Sequence, residues 1–204
     1  MTEQRRTVRD GYDSLAEEYF DRRNDDPEWV LTELTDRLDP RDRVLDAGCG
    51  QGVPVMNTLA SEFDTVGLDF SASQLRLART NVRGATLVQG DMTALPFVRD
   101  SFDGICAFYS LIHIPVDEHE QVISEFARVL SPRGYLLATV GGDAWEGSNP
   151  DWLDTGVEMQ WSFPSIEETY EMLDRVGFEV VGEFVVDDEI GSEFPFVLAQ
   201  YDPS

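Results

Sequence analysis

Residues 44–54 read VLDAGCGQGVP: an apolar run ending at the acid Asp46, followed by glycines at positions 48, 50 and 52. Glycines set directly behind a strand let a backbone come close to a nucleotide. The spacing here is G-x-G-x-G, and Val53 stands where the third glycine of a diphosphate-binding loop belongs. A carboxylate at Asp46 would also repel a diphosphate, whereas it suits a ligand that carries an ammonium or sulfonium charge. The stretch therefore predicts a strand-to-helix turn of a nucleotide-binding α/β fold, with a nucleoside bearing positive charge as its ligand.

Working outward, the apolar period switches repeatedly between that of strands and that of helices, the pattern of a sheet covered by helices on both faces. Strands are predicted at 43–47, 64–69, 85–90, 103–109 and 134–140, and helices at 53–62, 71–82 and 118–130. Val8, Tyr12, Leu15 and Tyr19 follow helical spacing and predict a further helix over 7–20. Ser71 with Gln74, and Ser165 with Glu168, have the spacing of capping boxes at helix starts. Residues 142–164, rich in Gly, Asp and Trp with no clear period, read as a long loop or small insertion. After a helix over 165–176, the runs 178–186 and 194–201 alternate with no helix between them, which predicts a closing antiparallel hairpin. One domain over 1–204 is expected, with a core at 42–141, the 142–164 segment on the substrate side, and the helix and hairpin at 165–204.

Two later acids extend the ligand. Asp69 ends the second strand, where a carboxylate can accept from both hydroxyls of a ribose. Asp91, in GDMTALPF, can accept from the exocyclic amine of adenine, with Met92 offering backbone polarity and an apolar edge. Together with Asp46 these residues describe adenosine joined to an amino acid.

The segments VLDAGCGQG, VGLDFS, GDMTALPF, FDGICAFYSLIHIP and LSPRGYLLATV occur in the order and spacing of the class I S-adenosylmethionine-dependent methyltransferases, and the chain resembles a small-molecule member of that superfamily. The likeness runs motif by motif over about residues 7–141 and more loosely over the rest. It implies a doubly wound, mostly parallel, Rossmann-like sheet of seven strands with an antiparallel strand in the C-terminal hairpin. It implies S-adenosylmethionine as cofactor. By position, the resemblance assigns the cofactor to Asp46, Gly48 and Gly50, to Asp69 with Phe70 against the adenine, to Asp91 with Met92, and to Phe108. Tyr12 and Tyr19, in GYDSLAEEY, would lie over its methionine end. On the acceptor side the candidates are Tyr109, His113, Trp145, Met159 and Trp161, with Trp152 and Phe163 in the same aromatic group. His113 follows the fourth strand and is the one candidate base, although a lone His on an apolar stretch is more often a core residue. His119 is expected to be solvated. Alternatives from other classes are a non-catalytic S-adenosylmethionine sensor and a nicotinamide-dependent oxidoreductase.

Charge narrows the partners. There are 40 acidic residues against 15 basic ones, every basic one an arginine, for a net charge of −25. Such a field repels phosphate backbones and anionic membranes, so neither nucleic acid nor membrane is an expected partner. The acids are scattered and not massed in a tail, which fits a solvated surface of a halophile's protein. No apolar run reaches membrane-spanning length, and a cytoplasmic location is expected. Cys49 and Cys106 form neither a disulfide framework nor a metal-ligand spacing, so no metal is expected. Oligomeric state is left open.

Overall fold

The structure, a computed structural model, describes residues 1–22, 28–187 and 193–203. Its elements in chain order are α1 (Glu3–Arg22), α2 (Glu28–Thr35), β1 (Arg43–Ala47), α3 (Val55–Ala60), β2 (Asp64–Asp69), α4 (Ala72–Asn81), β3 (Thr86–Gln89), β4 (Phe102–Ala107), α5 (His119–Val129), β5 (Leu130–Thr139), β6 (Trp145–Trp152), β7 (Val157–Phe163), α6 (Ile166–Val176), β8 (Phe178–Asp187) and β9 (Glu193–Tyr201). Seven strands form one sheet in the order β3-β2-β1-β4-β5-β9-β8. Pairing is parallel from β3 through β5, and β9 runs antiparallel to both of its neighbours. The order reverses between β1 and β4, and this switch point is where a doubly wound sheet opens a crevice at its strand ends.

Strand alternation explains why both faces are covered. Leu45, Ile105 and Leu136 belong to one apolar cluster with Val122, Ile123 and Phe126 of α5 and Met172 and Leu173 of α6. Their chain neighbours Val44, Cys106 and Leu137 belong to the opposite cluster, with Val30, Leu31 and Leu34 of α2 and Leu59 of α3. A period of two therefore supplies two cores from one set of strands. Phe126 and Leu34 are wholly buried, and each such side chain contributes about 2 to 3 kcal/mol relative to exposure. The sequence reading had no counterpart for the short helix α2.

Three expectations are refined or corrected. Of the long loop or small insertion expected at 142–164, the structure has an insertion: β6 and β7 form a separate antiparallel hairpin, with Trp145 opposite Phe163 and Asn149 opposite Met159. Most of β6 is exposed, so no buried face imprinted an alternation on its sequence. His119 is buried, not solvated. Its Nε2 donates to the carbonyl of Ile114 at 2.9 Å, and burial, set against that bond, holds its pKa below the usual histidine value. The two capping boxes also differ. At α6 the box is complete, Ser165 accepting from the Glu168 amide and the Glu168 carboxylate accepting from the Ser165 amide. At α4, Ser71 accepts from the Gln74 amide at 3.1 Å, but the Ser71 amide is satisfied by Asp69 Oδ1 at 2.8 Å. The Gln74 side chain is thereby released from the capping role.

Candidate functional site

The C-terminal ends of β1, β2, β3 and β4 surround a cavity whose empty space, counting the open solvent at its mouth, is about 910 Å³. Gly48, Cys49 and Gly50 form one wall, Asp69 and Phe70 the next, Gly90 to Met92 a third, and Phe108 to Ser110 a fourth. The glycines are there for space and shape. Gly48 has φ +87°, and a Cβ on it would lie 2.3 Å from Ser110 Cβ. Ser110 is itself tied to β1, its hydroxyl donating to the Ala47 carbonyl at 2.7 Å. Any side chain at position 48 would push these two loops apart.

Asp69 is the buried anchor of the crevice. Its Oδ2 accepts from the Gly50 amide at 2.9 Å and its Oδ1 from the Ser71 amide. Burial drives its pKa up to about 6, against the pull of these amides toward the anion. Two oxygens with four acceptor positions leave capacity for ligand hydroxyls. Beside it, the Gln74 side chain is 1% exposed, lines the cavity, and its Nε2 and Oε1 have no hydrogen-bond partner. An unpaired buried amide costs on the order of 1 to 3 kcal/mol, and a ligand with both donors and acceptors, such as a nucleoside, would recover it. Carboxylate, orphaned amide and glycine wall together fit S-adenosylmethionine.

Asp46 does not line the cavity. It is 2% exposed on the same sheet face as Val44, and its Oδ1 accepts from the Cys106 thiol at 3.5 Å. Burial, and then the Asp46 charge, push both the Cys49 and Cys106 thiols well above their usual range. Both stay protonated and unreactive, Cys49 within the glycine loop and Cys106 on β4 beneath it.

The helix α1 forms the roof, and Tyr12 and Tyr19 both line the cavity. Arg5, which the sequence reading missed, holds this helix down. It is 6% exposed, pairs with Asp91, donates to Thr93 Oγ1 at 2.8 Å, and forms an ion pair with Glu118 Oε2 at 2.8 Å. Asp13 makes a second tie, accepting at Oδ1 from the Ser71 hydroxyl at 2.7 Å and the Ser73 amide at 2.9 Å. Burial raises the Asp13 pKa, but these bonds outweigh it and the net shift is downward. Asp91 thus lines the cavity while sharing its carboxylate with Arg5 and Thr93. Arg5, Tyr12 and Tyr19 stand seven residues apart on one helix stripe, and that spacing was the available signal for Arg5.

Of the acceptor-side residues, His113 and Tyr109 line the cavity. Tyr109 has φ +50°, an uncommon conformation for a non-glycine residue, of the kind that gathers at functional sites. Trp145 lies elsewhere: it is 49% exposed and stacks on Phe163. Met159 is fully buried, with its Cε 3.0 Å from where a Cβ on Gly11 would be, so it packs β7 against α1. Trp161 sits behind His113, ring centroids 5.9 Å apart, and Trp152 packs edge-on to Tyr12. The hairpin therefore buttresses the roof instead of lining the cavity itself.

The chain is similar to known methyltransferases. Residues 44–134 match the family model described as "Methyltransferase domain". Methyltransferase GfsG of Streptomyces halstedii is 40% identical over 118 residues, 53% of this chain and 42% of that protein. The 24-methylenesterol C-methyltransferase 2 of Oryza sativa subsp. japonica is 31% identical over 158 residues, 71% of this chain and 43% of that one. The chain thus spans less than half the length of these relatives. Among solved structures, 1,6-didemethyltoxoflavin-N1-methyltransferase of Burkholderia thailandensis, with its substrate and S-adenosylhomocysteine bound, superposes with a TM-score of 0.79 at 19% identity, covering 98% of this chain and 90% of that one.

Proposed function

We propose that the chain, whose residues 44–134 match a methyltransferase domain, is a class I S-adenosylmethionine-dependent methyltransferase that transfers the methyl group to a small-molecule acceptor. The observation that carries the reading is the cavity wall, which sets Asp69 and the unpaired Gln74 amide beside a glycine loop and under a roof of tyrosines. When bound, S-adenosylmethionine supplies an electrophilic methyl group on a sulfonium sulfur. The residues do the rest. Asp69 accepts from the ribose hydroxyls and Asp91 from the adenine amine, and Phe70 and Met92 provide apolar walls. Tyr12 and Tyr19, which line the cavity, would attract a cationic centre placed over a ring face. The roof keeps water out and holds acceptor and methyl group in line, and positioning of this kind reaches effective molarities of about 10⁵ M.

A small acceptor is favoured because α1, tied down at Arg5 and Asp13 and packed on β7, covers the crevice. The net charge of −25 disfavours nucleic acid as acceptor. No helix among the described residues is long and apolar enough to cross a membrane, and the reading extends to a cytoplasmic enzyme whose two cysteines stay reduced.

The test is calorimetric titration with S-adenosylhomocysteine, followed by incubation with methyl-labelled S-adenosylmethionine and small-molecule cell extracts. One-to-one binding and a labelled product under about 1 kDa are expected. Tight binding with no labelled product would favour a sensor. Binding of a nicotinamide dinucleotide in its place would overturn the assignment.

A further inference from the structure

Tyr12 and His113 come from opposite sides of the cavity, one from the roof and one from the turn after β4, and they meet over it. Tyr12 Oη lies 2.9 Å from His113 Nε2, and His113 Nδ1 lies 2.9 Å from the backbone carbonyl of Gln160. A carbonyl can only accept, so Nδ1 carries a proton and donates it. In the neutral ring Nε2 is then the bare nitrogen, and the Tyr12 hydroxyl donates to it. The carbonyl comes from β7, so the β6–β7 hairpin sets the tautomer of a residue it does not share an element with. The Trp161 ring beside His113, and Trp152 and Tyr19 against Tyr12, hold both rings in place.

We propose that Tyr12 and His113 form a proton relay that takes up the proton which a protic acceptor, such as one bearing a hydroxyl or N–H group, releases on methylation. The inference rests on the methyltransferase reading above. With its own proton engaged on Nε2, a phenol oxygen still accepts a hydrogen bond, and Tyr12 lines the cavity. As the acceptor heteroatom forms its bond to the methyl carbon, the carbon–sulfur electron pair returns to sulfur. The acceptor proton passes to Tyr12 Oη, and the Tyr12 proton passes to His113 Nε2. The resulting imidazolium donates from Nδ1 to Gln160 and from Nε2 to Tyr12, so no buried charge lacks a partner. Release of the proton to solvent after the product leaves restores the neutral ring.

The test has two arms on the protein saturated with S-adenosylhomocysteine or its methyl donor. Long-range proton–nitrogen NMR correlations should show His113 with Nδ1 protonated and Nε2 bare, with the Nε2 resonance displaced in Tyr12→Phe. Turnover is followed as the rate of labelled product formed from carbon-13 methyl donor and small-molecule cell extracts. Tyr12→Phe and His113→Asn should each lower kcat by roughly 10²- to 10⁴-fold, the usual range for acid–base groups, and leave S-adenosylhomocysteine affinity within about threefold. An Nε2–H tautomer, or variants that lose cofactor affinity in step with rate, would each overturn the relay. A wild-type protein that binds no S-adenosylhomocysteine would instead overturn the methyltransferase reading, and the NMR arm would still report the hydrogen-bond geometry.

Discussion

Asp69 is pressed between two backbone amides that favour its anion and an interior that does not, and the interior prevails, setting its pKa near 6. Since the unfolded value is about 3.8, the folded state binds the proton more tightly over roughly pH 4 to 6. Stability contributed by protonated Asp69 is present below pH 4 and is lost as pH rises to 6, a change of about 3 kcal/mol at 1.36 kcal/mol per unit. Asp69→Asn removes that penalty and one acceptor, so the stability of the variant minus that of the wild type should rise between pH 4 and 6.5, measured without ligand by denaturant titration. Its affinity for S-adenosylhomocysteine should fall at least about tenfold. A difference that fell with pH would show that the carboxylate is not paying a burial penalty. Residues such as Asp69, Gly48 and Asp91 were legible in the sequence because they sit at strand ends, where the chain pattern itself locates the crevice. Gln74 was not, since its spacing from Ser71 reads equally as a capping box. Only the structure shows Asp69 satisfying the Ser71 amide, a local rule broken where function gains from it.

The helix α1 carries its function in what holds it down. Arg5 faces both Asp91 and Glu118 from a buried position, so removing it leaves two carboxylates without their cation. Arg5 is buried but its partners are 30% and 18% exposed, so the loss is smaller than the roughly 3 to 5 kcal/mol of a fully buried pair, and most of it is local to the roof. Arg5→Met should therefore speed backbone hydrogen exchange across residues 3–19 by more than tenfold and weaken S-adenosylhomocysteine binding by a similar factor, with exchange in α5 and β4 unchanged. Uniform destabilisation of the whole chain would show instead that the roof is not a separate unit. The existence of this helix was plain from its apolar stripe, because Val8 and Leu15 face the core. Its charged anchor was not, since a buried arginine looks like a solvated one until its partners, more than 80 residues away, are brought beside it. The same holds for the β6–β7 hairpin: Trp145, Met159 and Trp161 announced an apolar cluster, yet the mostly exposed β6 leaves no periodic trace from which to tell that the hairpin packs on α1 and does not line the cavity. The relay through Gln160 was out of reach for this reason, as it depends on a carbonyl and not on a side chain.

Across the whole molecule, 40 acidic residues share 9779 Å² of accessible surface, about 240 Å² each, which sets neighbouring charges roughly 16 Å apart. That distance decides how salt acts. The Debye length is about 30 Å at 0.01 M, 10 Å at 0.1 M and 3 Å at 1 M. Repulsion between neighbours is therefore felt strongly in dilute buffer and is largely screened by 0.15 M. If the net charge of −25 destabilises the fold mainly through this repulsion, most of the gain in thermal midpoint should come between 10 and 150 mM NaCl, with only a shallow rise to 2 M. Sulfate, which is excluded from protein surfaces and strengthens burial at high concentration, should raise the midpoint beyond 1 M more than NaCl does at equal ionic strength. Differential scanning calorimetry across both series separates the terms. A larger gain between 0.15 and 2 M NaCl than between 10 and 150 mM would mean that diffuse repulsion is the lesser term, and that closely set carboxylates, like Asp13 and Asp69 beneath the roof, carry the salt dependence instead.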